Sequence, residues 1–599
     1  MQIQQLSEHL YRFEDTCNVY VIRAGTDAVL IDFGSGAVLQ ELPEIGVSRV
    51  TDVLMTHHHR DQGQGLPLAT AAGARIWVPH AEQELFDRAE QRWLARDVAN
   101  NYNTREDRFS LVTSIPIDGT FVEYVPTSYG EITVTAIPLP GHTVGSVGFL
   151  ATVDGVDVAF TGDLLAGHGK VWSLAATQWS YAGPEGLAMT WLSLMDVRDR
   201  APDVLLPSHG PVMDDPVAAL EDTAARVREL LDLRNQHLGL TGRRDEPFES
   251  LSPHLLYNRS SHARSYVLLS ESGKALVVDF GYDFEAGLPA GTDRAARRPW
   301  LYTVPALKRQ FGVTSIDVAI PTHYHDDHVA GFELLRRVEG TEVWGPENFV
   351  DVLQRPRAYD LPCLWYDPIE VDRVVPLEQP LTWEEYEIVL HPLPGHTLYA
   401  VAIEIEVDGR RVVATGDQID DHGRLNYVYQ NRFSASDYRV TADLFERIRP
   451  DLLLTGHWGA IPCDDRLVTT LKERGRDLER LHRDLLPLDD TDFDAEGRGL
   501  WVRPYHTDIV AGQSFELEVE VRNPAPEAEE VEVALVVPDG WQVKPPRAQL
   551  ELEPGEHGFT GFWLTSPAGE PDPRVVVAAD LTVAHRRYGQ IAEALVHVR

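Results

Sequence analysis

The sequence predicts a three-unit chain of α/β (α+β) class: two copies of one mixed domain followed by a small all-β domain. Three observations carry this. The 599 residues exceed what one hydrophobic core organises, given about 150 residues per domain. Short phrases recur in the same order at a spacing of about 250 residues, which marks a duplicated domain and not a solenoid period. The last stretch, about 100 residues long, turns to apolar/polar alternation broken by Pro, Gly and Asn.

The elements follow in order. CNVYVIRAGTDAVLIDFG from Cys17 answers to SYVLLSESGKALVVDFG from Ser265, each reading as two β-rich runs that end in Asp-Phe-Gly, at Asp32 and Asp279. VTDVLMT and SIDVAIPT are further β-rich runs, leading into THHHRDQ at Thr56 and THYHDDH at Thr322. PLPGHT occurs at Pro138 and at Pro392; TGDLLAGHGK at Thr161 matches TGDQIDDHGR at Thr415; PDVLLPSHG at Pro202 matches PDLLLTGHWG at Pro450. Each copy ends in an amphipathic helical pattern, from Pro216 and from Asp464. The polar stretch TGRRDEPFES and the acidic LDDTDFDAEG set the units at residues 1–245, 246–490 and 496–599. In the third, SFELEVEVRN, EVEVALVVPDG and HGFTGFWLTS alternate as strands of a small β-sandwich, and the isolated His506, His557 and His585 read as surface residues.

Composition narrows the function. A formal charge of −40, from 93 acidic and 53 basic residues, disfavours a phosphate backbone as partner, so no nucleic acid is expected. No apolar run approaches the roughly 20 residues that span a bilayer, so no membrane role is expected. MQIQQLSEHLYRFEDTCNVYVI has no basic region followed by an apolar core, and cytoplasmic residence is the default. Cys17, Cys363 and Cys463 form neither a disulfide framework nor a thiolate zinc site. Any metal is therefore held by imidazole and carboxylate.

The cassettes supply those groups. His323, His325, Asp327 and His328 fall within seven residues, and the first copy has His57, His59 and Asp61, with Gln62 where the second has His328. Such spacing converges on a cation only where the backbone turns, and a strand end passing through a loop into a helix N-terminus provides that turn. Further ligand types lie downstream, each at the end of a β-like run: His396, Asp417 and His457 in the second copy, His142, Asp163 and His209 in the first. Asp163 follows His142 by the same 21 residues as Asp417 follows His396. Imidazole suits zinc or iron, and a carboxylate stabilises a second cation and accepts a proton.

The H-x-H-x-D-H cassette, a lone His, a TGD Asp and a final His in that order resemble the metallo-β-lactamase superfamily, twice over residues 1 to 490. The resemblance implies an αββα sandwich with a dinuclear site at one edge. In the second copy it implies His323, His325 and His396 around one cation, Asp327, His328 and His457 around the other, and Asp417 bridging. In the first copy it implies His57, His59 and His142 for one cation, with Asp61, Asp163 and His209 left for a second that Gln62 weakens. The cofactor expected is zinc, two ions in the second copy and one or two in the first, with iron as the alternative. The C-terminal unit resembles immunoglobulin-like accessory modules through NPAPEAEEVEVALVVPDGW.

Two cations about 3.5 to 4 Å apart lower the pKa of a shared water and polarise the oxygen it attacks, so hydroxide is the expected nucleophile. Asp327 is the expected catalytic carboxylate that orients it and accepts a proton, with Asp61 as its counterpart. Asp279 and Asp32 are candidates for fixing a ligand imidazole through its other N–H. His-Gly-Lys at His168 and His-Gly-Arg at His422 recur five residues past the TGD Asp, so His168, Lys170, His422 and Arg424 are candidate contacts for a substrate oxyanion. Trp179 and Trp458 are candidate cleft walls. The reading is a metal-dependent hydrolase of a small ester, thioester, lactone or amide, with its main site in the second copy. The alternatives are iron-dependent persulfide or oxygen chemistry on the same residues, or a first copy that binds metal or ligand without catalysis.

Overall fold

The protein is described here by a computed structural model covering residues 3–95, 109–174, 186–234, 239–283, 294–495, 497–569 and 572–599. Trp179 lies outside the described residues.

In the first copy, seven strands hydrogen-bond in chain order from Gln4–Gln5 to Gly119–Thr120. The N-terminal strands pair antiparallel, whereas Asp27–Ile31, Arg49–Leu54 and Arg75–Val78 run parallel. Parallel neighbours need a crossover over the sheet face, and the helix Leu66–Ala71 makes one. A second sheet holds Val204–Pro207, Val156–Gly162, Val147–Val153, Ile132–Pro138 and Pro126–Tyr129 in that spatial order.

Alternation along one strand shows why the sheets stack. In Asn18–Ala24, Val19 and Val21 pack with Leu66 and Ala69 on the helical side, while Tyr20 and Ile22 pack with Phe149 and Phe160 of the second sheet. A strand buried on both faces reads as a continuous apolar run, which CNVYVI is. The far face of the second sheet packs Ala159 and Leu205 against the helices Gly186–Arg200 and Pro216–Leu233 through Leu192 and Leu220. The layers are therefore helix, sheet, sheet, helix.

The second copy repeats the plan. Seven strands run in chain order from Phe248–Ser252 to Arg373–Val375, and six from Pro380–Trp383 to Gly459–Pro462. Its outer helices, Asp437–Ile448 and Asp465–Leu485, bury Ala442, Phe445 and Leu471 against Val413 and Leu453. Asp215 and Asp464 cap the matching final helices, accepting from Ala218 N at 3.1 Å and Leu467 N at 2.8 Å. Leu240 packs with the helices Gly186–Arg200 and Pro216–Leu233 and Phe248 with the second copy's core, while Trp300 of the second copy joins the former cluster.

Beyond Leu500, a four-stranded and a five-stranded sheet enclose a third core that includes Leu517, Val533, Phe562 and Val577. This β-sandwich is tied to the second copy at Glu520, which Arg432 and Arg503 flank, while the Arg432 guanidinium lies 3.8 Å from the Trp501 ring centre. His557, expected at the surface, joins that cluster: it stacks on Trp501 and lies 2.9 Å from Glu520 Oε1. A buried carboxylate needs partners, and the imidazole is one of them. Among the described residues no helix is long and apolar enough to cross a membrane.

Candidate metal centre

Five residues separate the strand Ser315–Ile320 from the helix Asp326–Val329. Between them the chain bends at Thr322, and His323 and His325 bridge to Ala400 and Leu364; His325, with φ of −59° and ψ of 143°, is the residue before the first helical turn. His323 and His325 thus leave one face of an extended segment, and Asp327 and His328 leave the turn that follows. His59 has φ −66° and ψ 150° before the helix Arg60–Gly63, so the first cassette is built the same way. The TGD and TGH glycines let the other ligands approach: a Cβ on Gly416 would lie 2.5 Å from Thr322 Oγ1, and one on Gly456 would lie 1.9 Å from Asp417 Oδ1.

In the second copy all seven expected residues converge. Ligand atoms of His323, His325, His396 and Asp417 lie within 4.8 Å of one another, as do those of His328, Asp417 and His457. Asp417 Oδ1 is 3.3 Å from His328 Nε2, and Asp417 Oδ2 is 3.1 Å from His457 Nε2. Asp327 Oδ2 is 3.3 Å from His457 Nε2. Asp279, 2% exposed, accepts from Thr322 N at 2.7 Å and Thr322 Oγ1 at 2.8 Å, and faces His328 Nδ1 at 2.8 Å. His396 is oriented by Asn426 O, 2.9 Å from its Nδ1, and by Asn431, which donates to its carbonyl at 2.7 Å.

The donor set fits divalent cations. His323 Nε2, His325 Nε2, His328 Nε2 and Asp417 Oδ1 are buried with no hydrogen-bond partner. Leaving such groups unmet costs about 1–3 kcal/mol each, and four clustered atoms of this kind fit bound cations. Burial, then the His396 imidazole, lowers His325 to about 3; burial followed by His328 and His325 holds His323 well below its ordinary value. Burial acts to lower His457 too, but Asp417 and Asp327 overcome it and raise it to about 10.

The first copy differs. His57, His59 and His142 form a three-imidazole cluster within 4.8 Å. Gln62 donates to Asp163 Oδ2 at 3.1 Å, so an amide sits on the carboxylate that matches Asp417. His209 is turned as well: its Nδ1 faces Asp163 Oδ1 at 2.8 Å and its Nε2 faces Thr16 O at 3.0 Å, with Trp172 stacked on it at 3.9 Å. Asp61 stays at the rim, its side chain 40% exposed and 3.5 Å from His209 Nε2. The residues expected for a second cation are near one another, yet Asp163 and His209 are engaged by each other, by Gln62 and by Thr16 O. Asp32 accepts from Thr56 N, Thr56 Oγ1 and Ser208 Oγ at 2.8, 2.9 and 2.6 Å. With Gln62 in place of a histidine, Asp32 has no counterpart of the His328 contact.

The expected oxyanion contacts lie elsewhere. Asp420 accepts from the backbone N of His422 and of Arg424 and pairs with the Arg424 guanidinium, which closes the turn on itself. The His422 side chain is 72% exposed, and Arg474 of the final helix donates to His422 O. In the first copy Arg226 donates to Gly169 O and His168 lies beside Asp222. Among the described residues no hydrogen bond or ion pair links His168, Lys170, His422 or Arg424 to the imidazole clusters. The repeated His-Gly-Lys/Arg turn is held to a following helix through its backbone carbonyls, at Gly169 and at His422.

Other residues join the sites without a sequence signal. His58 in the first cassette lies 3.0 Å from Glu82 Oε2, which also accepts from His58 N, and both are buried. Tyr324 replaces His58 in the second copy and donates to Asn431 at 3.2 Å. His262 brings a ligand atom within 4.8 Å of those of Asp327 and His457. Trp458, 38% exposed, stands beside His457.

The sequence profile of the metallo-beta-lactamase superfamily matches residues 12–209 and again 261–457. The chain belongs to this superfamily. Among relatives, an endoribonuclease of Aspergillus fumigatus is 25% identical over 162 residues, which are 24% of this chain and 18% of that protein. A hydroxyacylglutathione hydrolase of Fuscovulum blasticum is 28% identical over 170 residues, 28% of this chain and 50% of that protein. The matched regions thus span half or less of those relatives' own length. A metallo-beta-lactamase family protein of Thermus thermophilus, solved as a structure, is 19% identical with a TM-score of 0.31, covering 38% of this chain and 82% of that one. Both metallo-beta-lactamase regions end on the final ligand-type histidine, His209 and His457.

Proposed function

We propose that the chain is a metal-dependent hydrolase of a small ester, thioester, lactone or amide, working at the second copy. The observation that carries this reading is the set of buried, unpartnered ligand atoms on His323, His325, His328 and Asp417. His323, His325 and His396 would hold one cation, Asp327, His328 and His457 the other, with Asp417 between them. Such a pair, zinc or iron, supplies Lewis-acid polarisation and lowers the pKa of bound water. Asp327 orients the attacking water and accepts its proton at a carboxylate oxygen. Asp279 holds His328 in the tautomer that frees Nε2. Trp458 offers an apolar wall beside His457 for the acyl part of a substrate.

The hydroxyacylglutathione hydrolase relative supports an acyl substrate. The endoribonuclease relative favours a phosphodiester, but a charge of −40 repels a polyanion, and the small-molecule reading prevails. The first copy would hold one cation at His57, His59 and His142 and support the second without turnover, because Gln62 occupies its carboxylate. Metal analysis, with a screen of thioesters, esters, lactones, β-lactams and phosphodiesters, tests the reading. Loss of turnover on replacing His323 with His325, and retention on replacing His57 with His59, is expected. Equal loss from both pairs would end the division of labour, and turnover of phosphodiesters alone would end the acyl assignment.

A further inference from the structure

The ligand set implied by the cassette leaves out one imidazole. His262 lies on the loop 259–264, which joins Leu255–Asn258 to Ser265–Leu269. Its backbone N donates to Tyr282 O at 3.0 Å, and its ring lies 5.5 Å from the Tyr282 ring at an interplanar angle of 30°. Tyr282 follows Gly281, where a Cβ would lie 1.8 Å from Asp327 O, so the Asp-Phe-Gly-Tyr segment presses directly on the helical turn that carries Asp327. His262 is held against the cassette by this contact. Its ring centre is 5.6 Å from that of His457, and ligand atoms of His262, Asp327 and His457 lie within 4.8 Å of one another.

Two triads therefore share His457: His328 with Asp417, and His262 with Asp327. His457 Nε2 faces both carboxylates, Asp417 at 3.1 Å and Asp327 at 3.3 Å. An imidazole nitrogen has one lone pair, so Nε2 can serve one cation only. With both carboxylates facing that nitrogen, the two triads can surround a single ion. We propose that His262 is an additional protein ligand of the outer cation in the second copy, joining Asp327, His328, Asp417 and His457. This rests on the dinuclear reading given above.

The first copy cannot make this contact. Tyr20 donates to Pro207 O at 2.8 Å as Tyr266 donates to Thr455 O at 2.7 Å, two residues before His209 and His457 respectively. Counting back four residues from each tyrosine sets His262 opposite Thr16. Thr16 uses its carbonyl to bond His209 Nε2. The loop is also shorter there, 15–17 between Glu14 and Asn18 against 259–264 between Asn258 and Ser265. Both differences, Thr16 for His262 and Gln62 for His328, remove imidazoles from the same cation. An extra nitrogen donor biases that position towards zinc, iron, cobalt or nickel and away from magnesium or calcium. It also occupies a position that water would otherwise take.

The test is metal binding by the full chain, in a background where His57 and His59 are replaced so that only second-copy ions are counted. Zinc affinity is read by competition with a chelator, and cobalt(II) is titrated while its visible absorption is followed. Two ions are expected for the background chain, with His262→Ala weakening the second ion by at least the roughly 10–100-fold that losing an outer partner costs, the first unchanged, and cobalt absorption altered only in the second step. His262→Gln, which keeps volume and an oxygen donor, is expected to fall between them; it serves as the readout if the alanine chain unfolds in its metal-free melt. A His262→Ala or His262→Gln chain with background affinity and spectrum at both steps overturns the proposal and leaves the dinuclear reading standing. A background chain that takes up one ion overturns both.

Discussion

Replacing Asp279 by asparagine is expected to weaken cation binding in the second copy while leaving the fold intact. The carboxylate is 2% exposed and receives two donors from Thr322 and one from His328, all at 2.7–2.8 Å. Asparagine has the same shape but turns one oxygen into an NH2 group. Set against the Thr322 N–H, that group would strand a buried backbone donor, at a cost of about 1–3 kcal/mol. Set against His328 the conflict is relieved by moving the imidazole proton from Nδ1 to Nε2. The second arrangement is cheaper, and it removes the lone pair that faces Asp417 and a cation. Outer-ion affinity should therefore fall about 10–100-fold, the range for losing the partner of a metal-bound imidazole. Asp279→Ala should lose the same affinity and also about 3 kcal/mol of stability, since several donors are left bare. Asp32 is the built-in control: it makes the threonine contacts but touches no ligand histidine, so Asp32→Asn should leave first-copy affinity within about twofold, well short of that range. Chelator competition and a metal-free thermal melt on all three chains provide the measurements. Asp279→Asn with unchanged affinity, or Asp32→Asn losing as much as Asp279→Asn, would refute the tautomer argument.

Gln62→His should remove the amide from Asp163 and let the first copy take up one more ion; unchanged stoichiometry by elemental analysis would show that the turned His209 alone blocks it. Glu520→Ala leaves Arg432 and Arg503 without their buried carboxylate, a loss on the order of 3 kcal/mol, and should loosen residues 426–432, which hold His396; faster proteolysis there is the expected outcome, and unchanged cleavage would mean the β-sandwich does not brace the centre. Burial raises the Asp32 carboxyl to about 7, against the pull of hydrogen bonds from Ser208 and Thr56. Its folded pKa lies above the ordinary 3.8, so its contribution is fully present below about pH 4 and is lost as pH rises through about 7. Metal-free hydrogen exchange of Asp27–Ile31, corrected for intrinsic rates, should quicken over that window and flatten in Asp32→Asn; a pH-independent wild type would refute the assignment. Replacing His422 and Arg424 together by alanine should leave turnover within about twofold, as exposed side chains contribute little, and a large loss would restore them to the substrate path.

The duplication and the clustering of ligand-type residues in the second copy were legible in the sequence for a physical reason, whereas the two-sheet layering was implied by the family resemblance. A strand end, a loop and one helical turn bring four ligands together within a single cassette, and every downstream ligand caps a local apolar run. Local geometry is what residue spacing encodes. The fate of the first copy was legible only in part. Gln62 announces a missing imidazole, but the amide on Asp163, the stacking of Trp172 and the hold of Thr16 on His209 depend on side chains from segments far apart in the chain. The His-Gly-Lys and His-Gly-Arg turns are a true repeat whose backbone is held by a following helix, a contact that spacing alone does not encode. His262, Glu82 and Glu520 carry no periodic or motif signal, since each matters only through a partner brought in by another strand or domain. Sequence thus determined which groups could bind cations and in which copies. Tertiary structure decided which of them are left unpartnered and face one another, because that depends on what every neighbouring segment does with the remaining hydrogen bonds.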